Sequence, residues 1–219
     1  MKQTEGTETA NVSFDLGAAT MNYGNNAPYF TWGRKDPIPP STGLANANKA
    51  IYGTYAVLST ISTTNNPAYT IRVPYSLNSA NEFDSYELWN VGNTETTVNV
   101  NPVTKSIYDP SPVGFHLPPT GAFRGWNSNE RSYWQNTARK QGLYIYQLGS
   151  KLGNTTFFPA LGEIAYNYSY NSIGVSGFYQ TAGSVNSWEG YRLFFSENNI
   201  SVDSWRSMGH AFSVRPVAE

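Results

Sequence analysis

The chain has 219 residues with nearly balanced charge, 14 Lys+Arg against 15 Asp+Glu; charged residues make up 13% and aromatic residues 15%. That balance argues against a protein that tracks nucleic-acid phosphates. The absence of cysteine removes disulfides, thiolate metal sites and cysteine nucleophiles.

Residues 1–22 read as a flexible tail, polar and aperiodic in its first half. It opens without an apolar run, so no signal peptide is expected there. Residues 23–219 read as a single compact domain, and no stretch of about 18 apolar residues predicts a membrane span. An apolar island at Tyr29-Phe30-Thr31-Trp32-Gly33 is followed by a Pro-spaced run, 34–40, that forbids regular helix. Residues 50–58 fit a strand or a short helix, and 70–75 alternate as a strand does. A short helical turn is expected within 81–90, ending at Leu88-Trp89. Residues 94–105 are rich in Thr, Val and Asn and read as a loop or exposed hairpin.

The run 109–114 is a compact turn, and Phe115-His116-Leu117 is a short strand stopped by Pro118-Pro119. Thr120 has the character of an N-cap, which predicts a short helix through Trp126. Residues 132–137 give no clear pattern. Residues 142–149 and 155–160 read as strands, and from Gly177 onward the chain reads as short strands at 177–182, 191–196 and 210–217. The class is α+β with β dominant and short helices.

Catalytic patterns are sparse. His116 and His210 are the only histidines, too few for a typical His-based metal site, and both read as ordinary structural or surface residues. Carboxylate pairs are numerically present at Asp84 and Glu87 and at Glu189 and Glu197, and read as solvated turn residues. No Gly-x-Ser-x-Gly elbow and no phosphate-binding glycine loop occurs. Four Asn-x-Ser/Thr sequons, at Asn11, Asn154, Asn167 and Asn199, are expected by chance in a chain this rich in these residues. No cofactor and no metal is expected.

Aromatic residues crowd the last third of the chain, interleaved with Asn, Ser and Gly. Core packing accounts for some of them. Accounting for all would require strands buried on both faces, because successive side chains alternate. Tyr and Trp among Ser, Gly and Asn is also the composition of a binding surface, rigid amphipathic area beside adaptable hydrogen bonding. In 191–196, Leu193 and Phe195 share one face; if that face meets the core, Phe194 is left as an exposed apolar contact residue.

Several ordered motifs resemble one family. The run 105–119, containing Ile107-Tyr108-Asp109-Pro110-Ser111-Pro112-Val113-Gly114, is similar to the IYDPCPAGW run of FISUMP-type major paralogous domains of Bacteroidetes surface proteins. Phe157-Phe158-Pro159-Ala160-Leu161-Gly162 resembles their FPALG run, and 206–217, ending Ser213-Val214-Arg215-Pro216-Val217, resembles their terminus. Tyr29-Phe30-Thr31-Trp32-Gly33-Arg34-Lys35-Asp36-Pro37 resembles an upstream WGRKDP element. Departures are Ser111 and Pro216 in place of cysteines, Gln180 in place of Trp and Ile164 in place of Arg.

The resemblance implies a C-type lectin-like fold, and the cysteine-free terminus is similar to variable proteins diversified by retroelements. It implies a non-enzymatic ligand-binding or adhesion protein at a cell surface, on a pilus tip or on a phage virion, with a variable-type surface over about 163–210. The expected partner is a protein or glycan on another cell surface, without nucleic acid or membrane insertion. The alternatives are a phage receptor-binding protein and a metal-independent carbohydrate-binding lectin. A formylglycine-generating oxidase needs cysteines, and a calcium lectin needs a Glu-Pro-Asn-like triplet, neither of which occurs. The expected ligand contacts are Tyr179, Thr181, Ser184, Asn186, Trp188, Arg192, Phe194, Ser204, Trp205, Ser207 and Met208, with both Trp residues as anchors. Gly177, Ala182, Gly190, Leu193, Phe195, Arg206, Gly209, Phe212, Val214 and Arg215 are expected as scaffold between them.

Overall fold

A computed structural model describes residues 28–38, 61–62, 77–78, 86–126, 132–137, 140–146, 155–166 and 169–219. The expected tail at 1–22, the elements at 50–58 and 70–75, and the sequons at Asn11, Asn154 and Asn167 lie outside these residues. Strands dominate the described residues, and no helix occurs among them.

The largest sheet has seven strands. Its path runs β12 (Asn199–Ser207), β11 (Glu189–Ser196), β10 (Ser176–Ser184), β13 (Ala211–Val214), β8 (Glu163–Ile164) and β9 (Tyr170–Asn171), with β1 (Phe30–Thr31) also on β13. β13 is the junction. It runs parallel to β10 through Ser213 and Val214, and antiparallel to β1 and β8 through Ala211 and Phe212. β5 (Ser132–Thr137), β6 (Lys140–Tyr146) and β7 (Thr155–Pro159) form an antiparallel meander. Two small pairs complete the described strands: β2 (Ile61–Ser62) with β3 (Leu77–Asn78), and β4 (Phe115–His116) with β14 (Val217–Ala218).

The strands expected at 115–117, 142–149, 155–160, 177–182 and 191–196 are present in outline. The expected terminal strand 210–217 is two strands, β13 and β14, broken at Arg215-Pro216, because proline cannot donate to a ladder. The helix expected from Thr120 to Trp126 is instead a chain of turns. Ala122 N donates to Pro119 O, Arg124 N to Gly121 O and Trp126 N to Phe123 O, so each bond spans three residues and the four-residue helical bond does not form. The part of 81–90 that is described, from residue 86, is bent backbone rather than helix.

Two apolar clusters lie on opposite faces of the large sheet. One joins Tyr179, Leu193 and Phe195 to Phe158, Leu143, Ile145 and Tyr29. The other packs Trp32 against Trp89, ring centroids 4.8 Å apart, with Phe30, Leu117, Ala182 and Met208. The N-terminal and C-terminal parts of the chain therefore share a core, which the burial needs of Trp32 and Trp89 require. β10 lies between the clusters and is buried along its whole length. Burial of both faces explains more of the aromatic crowding as core than the sequence alone suggests. Gly177, opposite Phe195, is part of this packing, since a Cβ there would run into the Phe195 ring.

Candidate functional site

The hairpins β10–β11–β12 carry the expected contact residues. β11 and β12 pair along their full length, with Glu189 opposite Ser207, Tyr191 opposite Trp205 and Arg192 opposite Ser204. A bulge between Arg192 and Phe194 takes up one extra residue of β12.

Of the eleven expected contacts, only Trp188 and Trp205 are exposed, at 42% and 54%. Asn186, Phe194, Ser204 and Ser207 are half-buried. Tyr179, Thr181, Ser184, Arg192 and Met208 are buried, which corrects their placement at the surface. Tyr179 donates its hydroxyl to Pro159 O at 2.8 Å and stacks on Phe195. Thr181 donates to Tyr191 O at 2.8 Å, across the β10–β11 ladder. Met208 packs with Trp32 and Trp89, and Ser184 is buried opposite Gly190 at the end of the β10–β11 ladder. These residues are expected at the surface because they lie between the expected scaffold residues; Tyr179 instead joins its cross-strand partner Leu193 in one apolar cluster and Met208 joins the other, so both faces of the sheet meet protein here. Phe194 also differs from expectation. Its ring stacks on Phe178 with centroids 5.3 Å apart and is only partly open.

Trp188 sits in the β10–β11 turn, which Asn186 holds in shape. Asn186 Oδ1 accepts from Trp188 N and Glu189 N at 2.9 and 2.8 Å, and its Nδ2 donates to Glu189 Oε2 at 2.7 Å. The carbonyl of Trp188 accepts from Met208 N at 2.8 Å, tying the turn to the end of β12. Trp205 has a different neighbourhood. Its cross-strand partner Tyr191 donates its hydroxyl to Thr96 O at 3.0 Å, so the loop of residues 94–101 abuts the edge of the sheet here. Burial, and then the Asp203 carboxylate, push the Tyr191 phenol up.

Behind this surface lies a buried charge cluster. Glu163 Oε2 is 3.3 Å from Arg192 Nη1 and 3.4 Å from His210 Nδ1, and Glu163 Oε1 is 3.5 Å from Arg206 Nη2. The Arg192 guanidinium carbon lies 4.4 Å from the Phe178 ring centre and 4.8 Å from that of Phe212. The register causes this: Gln180 is opposite Arg192 and Phe178 opposite Phe194, which sets Phe178 diagonally beside Arg192 on one face. Burial alone would raise the Glu163 carboxyl. The hydrogen bond and charge of His210, with Arg192 and Arg206, outweigh it and hold the group below its usual range. Burial pushes the Arg192 guanidinium down to about 10, with Glu163 opposing the shift.

The cluster binds β8, β11, β12 and the turn that leads into β13 together through side chains. Glu163 meets three cationic or ionisable partners, so its carboxylate is placed for holding structure rather than for taking a proton from a substrate. Sequence reading missed Glu163, Tyr191 and Asp203, which have no local pattern to mark them. His210 and Arg206 fall in the structural roles expected of them. So does Arg215, which donates to Phe157 O at 2.8 Å. Glu189 and Glu197 bracket β11, roughly 26 Å apart at about 3.3 Å per residue, too far to act as a glycosidase pair.

Comparison with known proteins gives no match: no family model, no curated protein and no solved structure aligns with the chain.

Proposed function

We propose that the chain is a non-enzymatic ligand-binding or adhesion protein of the cell surface that presents its ligand site on the β10–β12 face of a C-type lectin-like scaffold. One observation carries the reading: Trp188, in the β10–β11 turn, and Trp205, on β12, stand 42% and 54% exposed on a hairpin tied into two apolar clusters and a buried charge cluster. A large ring left in water on a rigid support is pre-organised for contact, since little conformational freedom remains to be lost on binding. Buried Trp and Tyr anchors dominate measured binding energies at interfaces. The motif resemblance supports the scaffold and the surface location.

The test is binding of the fluorescently labelled chain to a panel of bacterial and eukaryotic cells, read by flow cytometry. The wild type should label at least one cell type, and the Trp188→Ala/Trp205→Ala double variant, folded by circular dichroism, should not. Equal labelling by both proteins sinks the proposal, as does failure to label any cell.

A further inference from the structure

Resting on that reading, we propose that the ligand class at Trp205 is a neutral carbohydrate, seated on the indole beside Tyr191 and hydrogen-bonded by Asp203, with no metal ion involved. Trp205 and Tyr191 are directly opposite on the β11–β12 ladder, so their side chains leave the same face with Cβ atoms about 5 Å apart. Asp203, two residues before Trp205 and within the bulge of the edge strand, is exposed, and its carboxylate lies near enough to act by charge on the Tyr191 phenol. The Tyr191 hydroxyl meets Thr96 O, which places the Thr- and Asn-rich loop of residues 94–101 alongside.

The chemistry of this shelf selects among ligands. A pyranose has one face of C–H groups, polarised by the ring oxygens, and a rim of hydroxyls. The C–H face suits the negative face of an indole. The rim suits a carboxylate, whose two oxygens accept a pair of neighbouring hydroxyls. Asp203 has acceptor capacity to spare, since Ser201 Oγ reaches only its Oδ1, at a long 3.4 Å. A docked protein would want apolar neighbours around the ring, but beside Tyr191 the neighbours are the Asp203 carboxylate and the Thr96 carbonyl. An acidic sugar would meet a carboxylate, while Arg206 projects to the other face and is engaged by Glu163. A quaternary ammonium ligand would suit an enclosing aromatic cage; here the two rings stand side by side on a ladder.

The experiment titrates the full chain, in EDTA, with neutral oligosaccharide series (gluco-, manno-, xylo-, galacto- and N-acetylglucosamine oligomers), following tryptophan fluorescence and calorimetry up to about 10 mM. At least one series should bind in EDTA. Trp205→Ala should weaken it about tenfold or more and Trp205→Phe less, while Asp203→Asn should weaken it severalfold and Val113→Ala, in the exposed turn before β4, leave it within about twofold. The inference is overturned if no neutral series binds, if Trp205→Ala binds as the wild type does, or if choline chloride binds in their place. Cell labelling that depends on Trp205 without any oligosaccharide binding would remove the sugar class and leave the binding-surface reading standing. Cell and sugar binding both indifferent to Trp205 would remove both.

Discussion

Glu163 and Arg192 meet through Oε2 and Nη1 at 3.3 Å, with both side chains buried and the guanidinium held between the rings of Phe178 and Phe212. The pair joins the short strand β8 to the middle of β11, elements that do not neighbour one another in the sheet. Its contribution is positional: a buried ion pair gains little net stability over apolar packing, but each partner depends on the other.

Removing one partner should therefore be costly. Glu163→Ala leaves Arg192 buried without its counter-charge, beside Arg206 and His210, and should destabilise the chain by about 3–5 kcal/mol. Replacing the pair together, Glu163→Gln with Arg192→Met, should recover much of that loss. Urea unfolding of the wild type and the two variants measures it, and a loss under about 1 kcal/mol in Glu163→Ala would show the cluster to be energetically idle.

Acid should act through the same carboxyl. Its folded-state pKa lies below its ordinary value, so the folded state binds fewer protons than the unfolded state in that range. The stabilisation is complete above the unfolded carboxyl pKa, about 4.3, and is lost as pH falls through the folded value. Melting temperatures from about pH 3 to pH 7 should fall on the acid side, and Glu163→Gln should flatten that limb.

The exposed and buried tryptophans should separate cleanly. Trp205→Ala and Trp188→Ala should each change stability by no more than about 1 kcal/mol, the scale of a surface cross-strand contact. Trp32→Ala, inside the cluster with Trp89, should cost about 3–5 kcal/mol. Losses of several kcal/mol in the first two variants would place those rings in the core and end the assignment of the β10–β12 face.

Lys105 offers a different kind of test. Its ammonium donates to Ser111 O and Pro112 O at 2.7 Å and to Phe115 O at 2.5 Å, closing the turn that leads into β4. Lys105→Met keeps the stem and leaves these carbonyls without their donor, which should cost about 1–3 kcal/mol. The β4–β14 pair should loosen with it, read as faster amide exchange at Val217 and Ala218.

Gly177 reports on packing between β10 and β11. Gly177→Ala forces a methyl against the Phe195 ring and should destabilise by about 1–3 kcal/mol, whereas Gly92→Ala meets no neighbouring atom and is limited to the cost of its left-handed backbone. Equal and small losses at both sites, by thermal melting, would contradict the close packing at Gly177.

The sequence by itself determined the dominance of strands and the location of several of them. Alternation in 142–146, 155–159 and 191–196 is a local property, carried by residues two apart, and Leu193 and Phe195 were legible as core from it alone. β12 was not legible. Asn199–Ser207 is an edge strand with a bulge, so its apolar residues Ile200, Val202 and Trp205 do not keep a period of two, and its other positions are polar because one edge faces water. Tertiary structure alone decided which faces are covered. Tyr179 and Met208 read as surface residues until distant segments cover them, Phe158 and Tyr29 on one face of the sheet and Trp32 and Trp89 on the other. The same is true of Glu163, Arg192, Arg206 and His210, which acquire a common role only when three strands and the turn before β13 bring the last three within 3.5 Å of the Glu163 carboxylate. Alternation records which side chains share a face of a strand; whether that face meets water or protein depends on segments far away in the chain, and no local pattern encodes it.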